Sequence, residues 1–162
     1  MPVSPAPRIV VDSAAMQSPS VAVIDALNSL VEAEAGSIFR FVGEGSPYLG
    51  RAGAEIRRPL QEMVERNDRH AAELAALIHN LGGEPAEPST VRAEDQYLSY
   101  LSLKFLLPKL VDAMALMIQR YENAMRVVEG QPETRQVLER HLQEMRADLD
   151  VLKKAAGDVR NL

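Results

Sequence analysis

Residues 62 to 83, EMVERNDRHAAELAALIHNLGG, decide the fold class. Apolar side chains recur there every three or four positions, which is the period of an amphipathic α-helix. Asn67 and His70 fall on the apolar face. The opposite face, predicted to meet solvent, carries the charged residues Glu65, Arg66 and Arg69. The stretch therefore predicts a helix that places an amide and an imidazole inside an apolar core.

Three other blocks have the same periodicity. The first, residues 18–43, opens with Pro19 at the first helical position, where a proline is well tolerated. The third, residues 94–129, contains Pro108, so we expect a kink there. The fourth, residues 132–156, has no internal glycine or proline. Since no block has a convincing strand pattern, the chain is predicted to be all-α.

The lengths of the links between the blocks predict the topology. The first link has about seven residues and the third about two, and both lengths suit antiparallel neighbours. The middle link, residues 82–95, spans up to about 45 Å when extended. The second helix is about 33 Å long at 1.5 Å per residue. The middle link is thus long enough to cross the whole bundle, which is the pattern of a four-helix bundle with one crossover.

Composition restricts the class of protein. The chain has 162 residues, a formal net charge of −5 and no cysteine. The length suits one domain, and we assign 18–157 to the bundle, 1–17 to a flexible N-terminal tail and 158–162 to a C-terminal tail.

The acidic balance argues against nucleic acid as a partner, and no apolar run is long enough for a membrane span. Without disulfides or a recognisable signal peptide, we expect a cytoplasmic protein.

Two stretches carry a resemblance to a known family. Residues 27–41, LNSLVEAEAGSIFRF, resemble the first helix of the ferritin-like superfamily, close to rubrerythrin and bacterioferritin. Residues 67–83, NDRHAAELAALIHNLGG, resemble its second helix, and the similarity extends over about residues 20 to 156. The resemblance implies a ferritin-like four-helix bundle with one long crossover between the second and third helices and a kinked third helix.

The resemblance also implies where a di-iron site would lie. Such a site takes carboxylates from two helices and a Glu-x-x-His pair from each of the other two. Glu34 matches the first glutamate, His70 the first histidine and Glu144 the glutamate of the fourth helix. His141, one turn before Glu144, is a candidate substitute for the missing imidazole. The remaining ligand positions are occupied by Asn67, Met114 and Ala147.

The residues leave two interpretations of this site open. In one, the polar residues form a hydrogen-bonded cluster without metal, and the protein has a non-catalytic binding or structural role. In the other, Glu34, His70 and Glu144 hold iron or manganese for storage, oxidation or peroxide handling, and any enzyme activity is of the ferroxidase type. An amide and a thioether replace two anionic ligands, which favours the first interpretation. Replacing Glu34 with alanine is expected to be neutral or stabilising in the first case and destabilising in the second.

Further expectations concern ligands and partners. The polar cluster is an alternative floor for a small-molecule pocket, and the methionines Met114, Met117 and Met125 suit an adaptable core. We expect a homo-oligomer, a dimer or larger, or an unidentified protein partner. Phe39 and Phe41 lie on different sides of the first helix, and Phe39 is the candidate for the interface.

Overall fold

A computed structural model describes residues 19–43, 54–87 and 103–160. The N-terminal tail and most of the crossover lie outside the described residues. The helices are α1 (Pro19–Ala35), α2 (Ile38–Gly43), α3 (Ala54–Asn80), α4 (Leu103–Val127) and α5 (Pro132–Arg160). The four long helices form a bundle, and no strand occurs in the described ranges. The predicted all-α four-helix bundle is confirmed, with α5 continuing a few residues past the predicted end at 156.

Side-chain pairs show the direction of each helix. Along α3 and α5 the partner numbers run in opposite senses, since Arg66 pairs with Asp148 and His70 with Glu144. The two helices are therefore antiparallel. The short turn at 128–131 makes α4 antiparallel to α5. As a result α3 and α4 run parallel, as the link lengths predict.

The first block contains a break that the sequence pattern did not predict. Here α1 ends at Ala35 and α2 begins at Ile38. Gly36 lies in the break, and glycine is a weak helix former. The hydroxyl of Ser37 accepts a hydrogen bond from the backbone N–H of Arg40 at 3.4 Å, as an N-cap does. Glu34 consequently lies in the last turn of α1, beside the break.

The break also changes the position of Phe39. Phe39 is 5% exposed and belongs to the apolar core, so its assignment to an interface was wrong. The helical register does not continue across residues 36 and 37, and positions predicted from an unbroken helix therefore point elsewhere. The side chain of Phe41 lies outside the described residues.

The end of α3 is closed by a glycine pair. Gly82 has a φ of 81°, a left-handed conformation that glycine adopts without strain. The N–H of Gly83 donates to the carbonyl of Ile78 at 3.0 Å, and that of Gly82 donates to the carbonyl of His79 at 3.0 Å, which is a Schellman motif. A Cβ on Gly83 would lie 2.9 Å from a side-chain carbon of Ile24. Close packing of this turn onto α1 therefore requires glycine there.

The chain after this turn is also tied to α1. The amide of Asn28 donates to the carbonyl of Glu84 at 3.1 Å and accepts from the N–H of Ala86 at 2.7 Å. Helix α4 runs through Pro108, and the predicted kink there stays a prediction. No helix in the described ranges is long and apolar enough to cross a membrane.

Candidate functional site: a buried histidine and carboxylate cluster

Glu34 lies at the centre of the bundle and is 2% exposed. Its Oε1 accepts a hydrogen bond from the Tyr121 hydroxyl at 2.7 Å and lies 3.5 Å from His70 Nδ1. Its Oε2 accepts a hydrogen bond from the side-chain amide of Asn67. One carboxylate from α1 thus joins α3 and α4. These contacts replace the water that a buried carboxylate loses.

Two histidines stack beside Glu34. The ring centroids of His70 on α3 and His141 on α5 lie 3.9 Å apart, with an angle of 22° between the planes. His70 Nε2 lies 3.0 Å from Glu144 Oε2, and His141 Nε2 lies 2.9 Å from Glu73 Oε2. Each helix therefore contributes one histidine and one glutamate, and each glutamate pairs with the histidine of the other helix. We call the residues Glu34, Asn67, His70, Glu73, Tyr121, His141 and Glu144 the core cluster.

Tyr121 joins the two parts of the core cluster. Its side chain is fully buried. Its hydroxyl oxygen lies 2.7 Å from Glu34 Oε1 and 3.2 Å from His141 Nδ1. A neutral His141 that donates its Nε2 proton to Glu73 has a lone pair on Nδ1, so Nδ1 is an acceptor. The single Tyr121 proton therefore lies within reach of two acceptors, Glu34 Oε1 and His141 Nδ1.

Arginines form an outer layer around the carboxylates. Arg69 Nη2 lies 2.5 Å from Glu144 Oε2, and Arg140 pairs with Glu73. Arg66 makes a two-pronged contact with Asp148, with distances of 2.9 and 2.5 Å. Arg66 was predicted to face solvent, but its side chain is only 24% exposed. The prediction failed because α5 covers the flank of α3 on which Arg66 lies.

The two histidines have opposite pKa shifts. Burial opposes the protonation of His70, but the hydrogen bonds and charges of Glu34 and Glu144 outweigh it and raise the His70 pKa. Burial, together with the positive charge of the adjacent His70, lowers the His141 pKa from 6.5 to about 4. When two imidazole rings stack this closely, placing a positive charge on both of them costs free energy. The core cluster therefore favours a protonated His70 beside a neutral His141.

The other groups respond to the same surroundings. Burial and the neighbouring Glu34 charge raise the Tyr121 pKa well above its usual value, so the phenol remains protonated. Burial raises the pKa of Asp148 despite the pairing with Arg66. Burial also acts to raise the pKa values of Glu73 and Glu144, but their histidine and arginine partners outweigh it and lower both pKa values.

The structure brings together the four side chains predicted as metal ligands. Glu34, His70, Glu144 and His141 all belong to the core cluster. Two of the three substituted positions, Asn67 and Met114, are also buried. The third, Ala147, is exposed on α5, so a side chain at that position does not enter the cluster. The assignment of Ala147 to a ligand position was therefore wrong, because the inward positions next to Glu144 are Met145 and Asp148.

Sequence reasoning missed Glu73 and Asp148. A signal for Glu73 exists, since HAAE at 70–73 and HLQE at 141–144 repeat the same His-x-x-Glu spacing on two helices. Residues three apart lie on one helical face. Nothing in the sequence pairs Asp148 with Arg66. Among the described residues, no three histidine, aspartate or glutamate side chains are arranged to hold a metal ion.

A cleft with a volume of about 710 Å³ leads to the core cluster. Glu34, Asn67 and His70 lie at its inner end. Its walls include residues of the break between α1 and α2 and the methionines Met63, Met114, Met117 and Met145. Both signs of charge occur at its outer part. The cleft thus joins an adaptable apolar wall to a polar floor.

Comparison with known proteins supports this architecture. No family model matches the sequence, and no curated protein gives a significant match. Bacterioferritin from Desulfovibrio desulfuricans, whose structure describes a diiron site in different catalytic states, matches with a TM-score of 0.68 and 20% identity, over 89% of this chain and 83% of that chain. A ferritin-like diiron-carboxylate protein from Bacillus anthracis str. Ames matches with a TM-score of 0.66 and 18% identity, over 87% of this chain and 99% of that chain. With its helix order and single crossover, the chain has the ferritin-like four-helix-bundle fold.

Proposed function

We propose that this chain is a ferritin-like protein whose di-iron site is incomplete and whose role is non-catalytic, in binding or structure. The observation that carries the proposal is the reciprocal pairing of His70 with Glu144 and of His141 with Glu73. Metal ligands direct their lone pairs at an ion. In this cluster the same atoms are directed at one another.

The charge balance supports the proposal. Glu73 and Glu144 each contact an arginine as well as a histidine. A pair of divalent cations at this position would lie close to those guanidinium groups and would compete with them for the carboxylates. Because Asn67 and Met114 are neutral, the cluster has three carboxylates, from Glu34, Glu73 and Glu144, where a di-iron bundle supplies four. The donor set therefore does not fit a di-iron centre.

The alternative is a ferritin-like protein that binds iron or manganese through a reduced ligand set. The observation in its favour is that two imidazoles and three carboxylates lie together in one partly buried cluster. Oxygen and imidazole ligands suit both metals. In that case Glu34, His70, Glu144 and His141 would hold the ion, and storage, oxidation or peroxide handling would follow.

Metal content distinguishes the two functions. Untagged protein is purified without chelator, incubated with iron(II) under anaerobic conditions or with manganese(II), desalted, and measured by mass spectrometry. The proposal predicts no metal above background, with the same result for Glu34→Ala, His70→Ala and the exposed-site control His79→Ala. One or two equivalents bound by the wild type and lost in the first two variants, but not in the control, would establish the alternative.

Two further proposals concern assembly and location. Phe105 and Leu116 on α4 are 60% and 50% exposed, and exposed apolar side chains of this size support a homo-oligomer, a dimer or larger. Light scattering after gel filtration tests this, and a monomer at micromolar concentration would contradict it. We also propose a cytoplasmic location without nucleic acid as a partner, consistent with the acidic charge and the lack of cysteine.

A further inference from the structure

The cleft beside the core cluster has the size and lining of a small-molecule site. Its volume of about 710 Å³ lies within the usual range of about 300–1,000 Å³ for ligand pockets. Among the described residues, four methionines contribute to its walls: Met63, Met114, Met117 and Met145. Thioether side chains are flexible and pack favourably against aromatic rings. The walls are therefore suited to a flat apolar body.

Asn67 supplies a hydrogen-bond acceptor at the floor of the cleft. Its amide nitrogen donates to Glu34 Oε2, and because a carboxylate only accepts, this contact fixes the orientation of the amide. The carbonyl oxygen Oδ1 is then the end directed away from Glu34. Within the described part of the chain no hydrogen bond ends on Oδ1, although Asn67 is only 7% exposed and lines the cleft. A ligand with an N–H or O–H group would satisfy this oxygen.

The charges around the floor are already balanced. Glu34 lies 3.5 Å from His70 Nδ1, and Asp148 is paired with Arg66. A charged ligand group at the floor would therefore remain uncompensated, which is costly in a buried site. The outer part of the cleft has charged residues of both signs: Glu32, Glu87 and Asp112, with Lys109 and Arg120. Because both signs are present there, the site suits an uncharged ligand.

We propose that this cleft binds a neutral, largely aromatic small molecule carrying one N–H or O–H group, which donates to Oδ1 of Asn67 while the rings pack on the methionines. The inference rests on the proposed function, because a metal ion held by Glu34 and His70 would change the floor. It adds the chemical class of ligand that the binding role requires.

N-Phenyl-1-naphthylamine is a suitable probe, since it is neutral, aromatic and carries one N–H, and its fluorescence rises in apolar sites. Titrated into the full chain, it should bind saturably with one site per chain. Ala113 lines the cleft, whereas Ala115 on the same helix is exposed and outside it. Ala113→Leu should weaken binding by about tenfold or more by filling the cleft. Ala115→Leu, the matched control, should leave the affinity unchanged.

Two analogues test the chemistry without altering the protein. In 1-phenoxynaphthalene an ether oxygen replaces the N–H. It should displace the probe about two- to tenfold more weakly, the ratio expected for one lost hydrogen bond. The anionic 1-anilinonaphthalene-8-sulfonate should bind about tenfold more weakly or worse, since its charge has no partner. These comparisons remain informative even if Ala113→Leu folds poorly, which circular dichroism would show.

The outcomes separate this inference from the proposed function. Equal binding to both leucine variants, equal affinity of the ether analogue, or tighter binding of the sulfonate would each overturn the inference. If Ala113→Leu instead changes the oligomeric state, a second copy covers the cleft and the inference also fails. Each titration is repeated with iron(II). Metal binding by the wild type would overturn the proposed function, whereas an absence of both metal and probe binding would overturn the inference alone.

Discussion

The rings of His70 and His141 stack with centroids 3.9 Å apart. His70 contacts Glu144, and His141 contacts Glu73. Because α3 and α5 are antiparallel, the repeated His-x-x-Glu spacing brings His70 level with Glu144 and Glu73 level with His141. Two imidazoles this close disfavour double protonation. The stability of the bundle should therefore depend on the protonation states of His70 and His141.

Stability should pass through a maximum near pH 6.5. The raised pKa of His70 means that its contribution is fully present below 6.5 and is lost as the pH rises through its folded pKa. The lowered pKa of His141, about 4, means that its contribution is present above 6.5 and is lost as the pH falls. Between pH 6.5 and about pH 5 the net loss of unfolding free energy should be about 1 kcal/mol. Urea unfolding at several pH values measures the curve.

Single substitutions should separate the two sides of that maximum. His141→Gln should flatten the acidic side, and His70→Gln the alkaline side. His79→Gln, an exposed position at the end of α3, should leave the curve unchanged. A wild-type curve that is flat from about pH 5 to pH 8 would contradict the pairing of a protonated with a neutral histidine.

Glu34→Ala should destabilise the bundle even without metal. The sequence alone suggested a neutral or stabilising effect, but the carboxylate is bonded to Asn67 and Tyr121 and lies beside His70. Its removal takes the hydrogen-bond acceptor from the Asn67 amide and one contact each from Tyr121 and His70, and we expect a loss of about 3–5 kcal/mol. Glu34→Gln, which keeps the shape and one acceptor, should lose less. Chemical unfolding measures both, and a stabilised Glu34→Ala would show that Glu34 is not held as described.

The contact between Arg66 and Asp148 should be stronger than the surface ion pairs. Their side chains are 24% and 8% exposed, whereas those of Arg58 and Glu62 are 85% and 46% exposed. A double-mutant cycle with Arg66→Met and Asp148→Asn should give a coupling of about 1–3 kcal/mol. The same cycle with Arg58→Met and Glu62→Gln should give about 0.5 kcal/mol or less. Equal couplings would contradict the burial of the first pair.

Supplying carboxylates should create metal binding. The variant Asn67→Glu/Met114→Glu adds two anionic ligands at buried positions that line the cleft. Iron(II) or manganese(II) at about 100 times Kd should then stabilise it by about 3 kcal/mol, seen as a higher midpoint of thermal unfolding. Gln61→Glu/Gln119→Glu adds the same charge at exposed positions of α3 and α4 and should not respond. An equal rise in the unfolding midpoint of the wild type on adding metal would show that Asn67 and Met114 do not prevent metal binding.

The fold was predictable because helical period and link length are local properties of the sequence. The spacing around His70 indicated the core face of α3, and the long middle link indicated the crossover. The proximity of Glu34, His70 and Glu144 followed from the resemblance to ferritin-like helices rather than from periodicity. That information sufficed to identify most of the core cluster.

The errors have a common origin in long-range packing. Periodicity defines one apolar stripe, but a bundle helix contacts two neighbours, so Arg66 on the flank of α3 is covered by α5. The break at Gly36 shifts the register after it, which buries Phe39. The resemblance to a family assigns ligand positions along the chain but does not show where each side chain points. Ala147 was therefore assigned to a ligand position although it is exposed. Contacts between distant segments decide such cases.

The most direct test of the central claim is a crystal structure of protein grown with iron(II) under anaerobic conditions, with anomalous data collected at the iron edge. No anomalous peak is expected at the core cluster, and the hydrogen bonds from Asn67 to Glu34 and from His70 to Glu144 should be intact. One or two peaks between Glu34, His70, His141 and Glu144, with those bonds broken, would contradict this expectation and establish a working metal site.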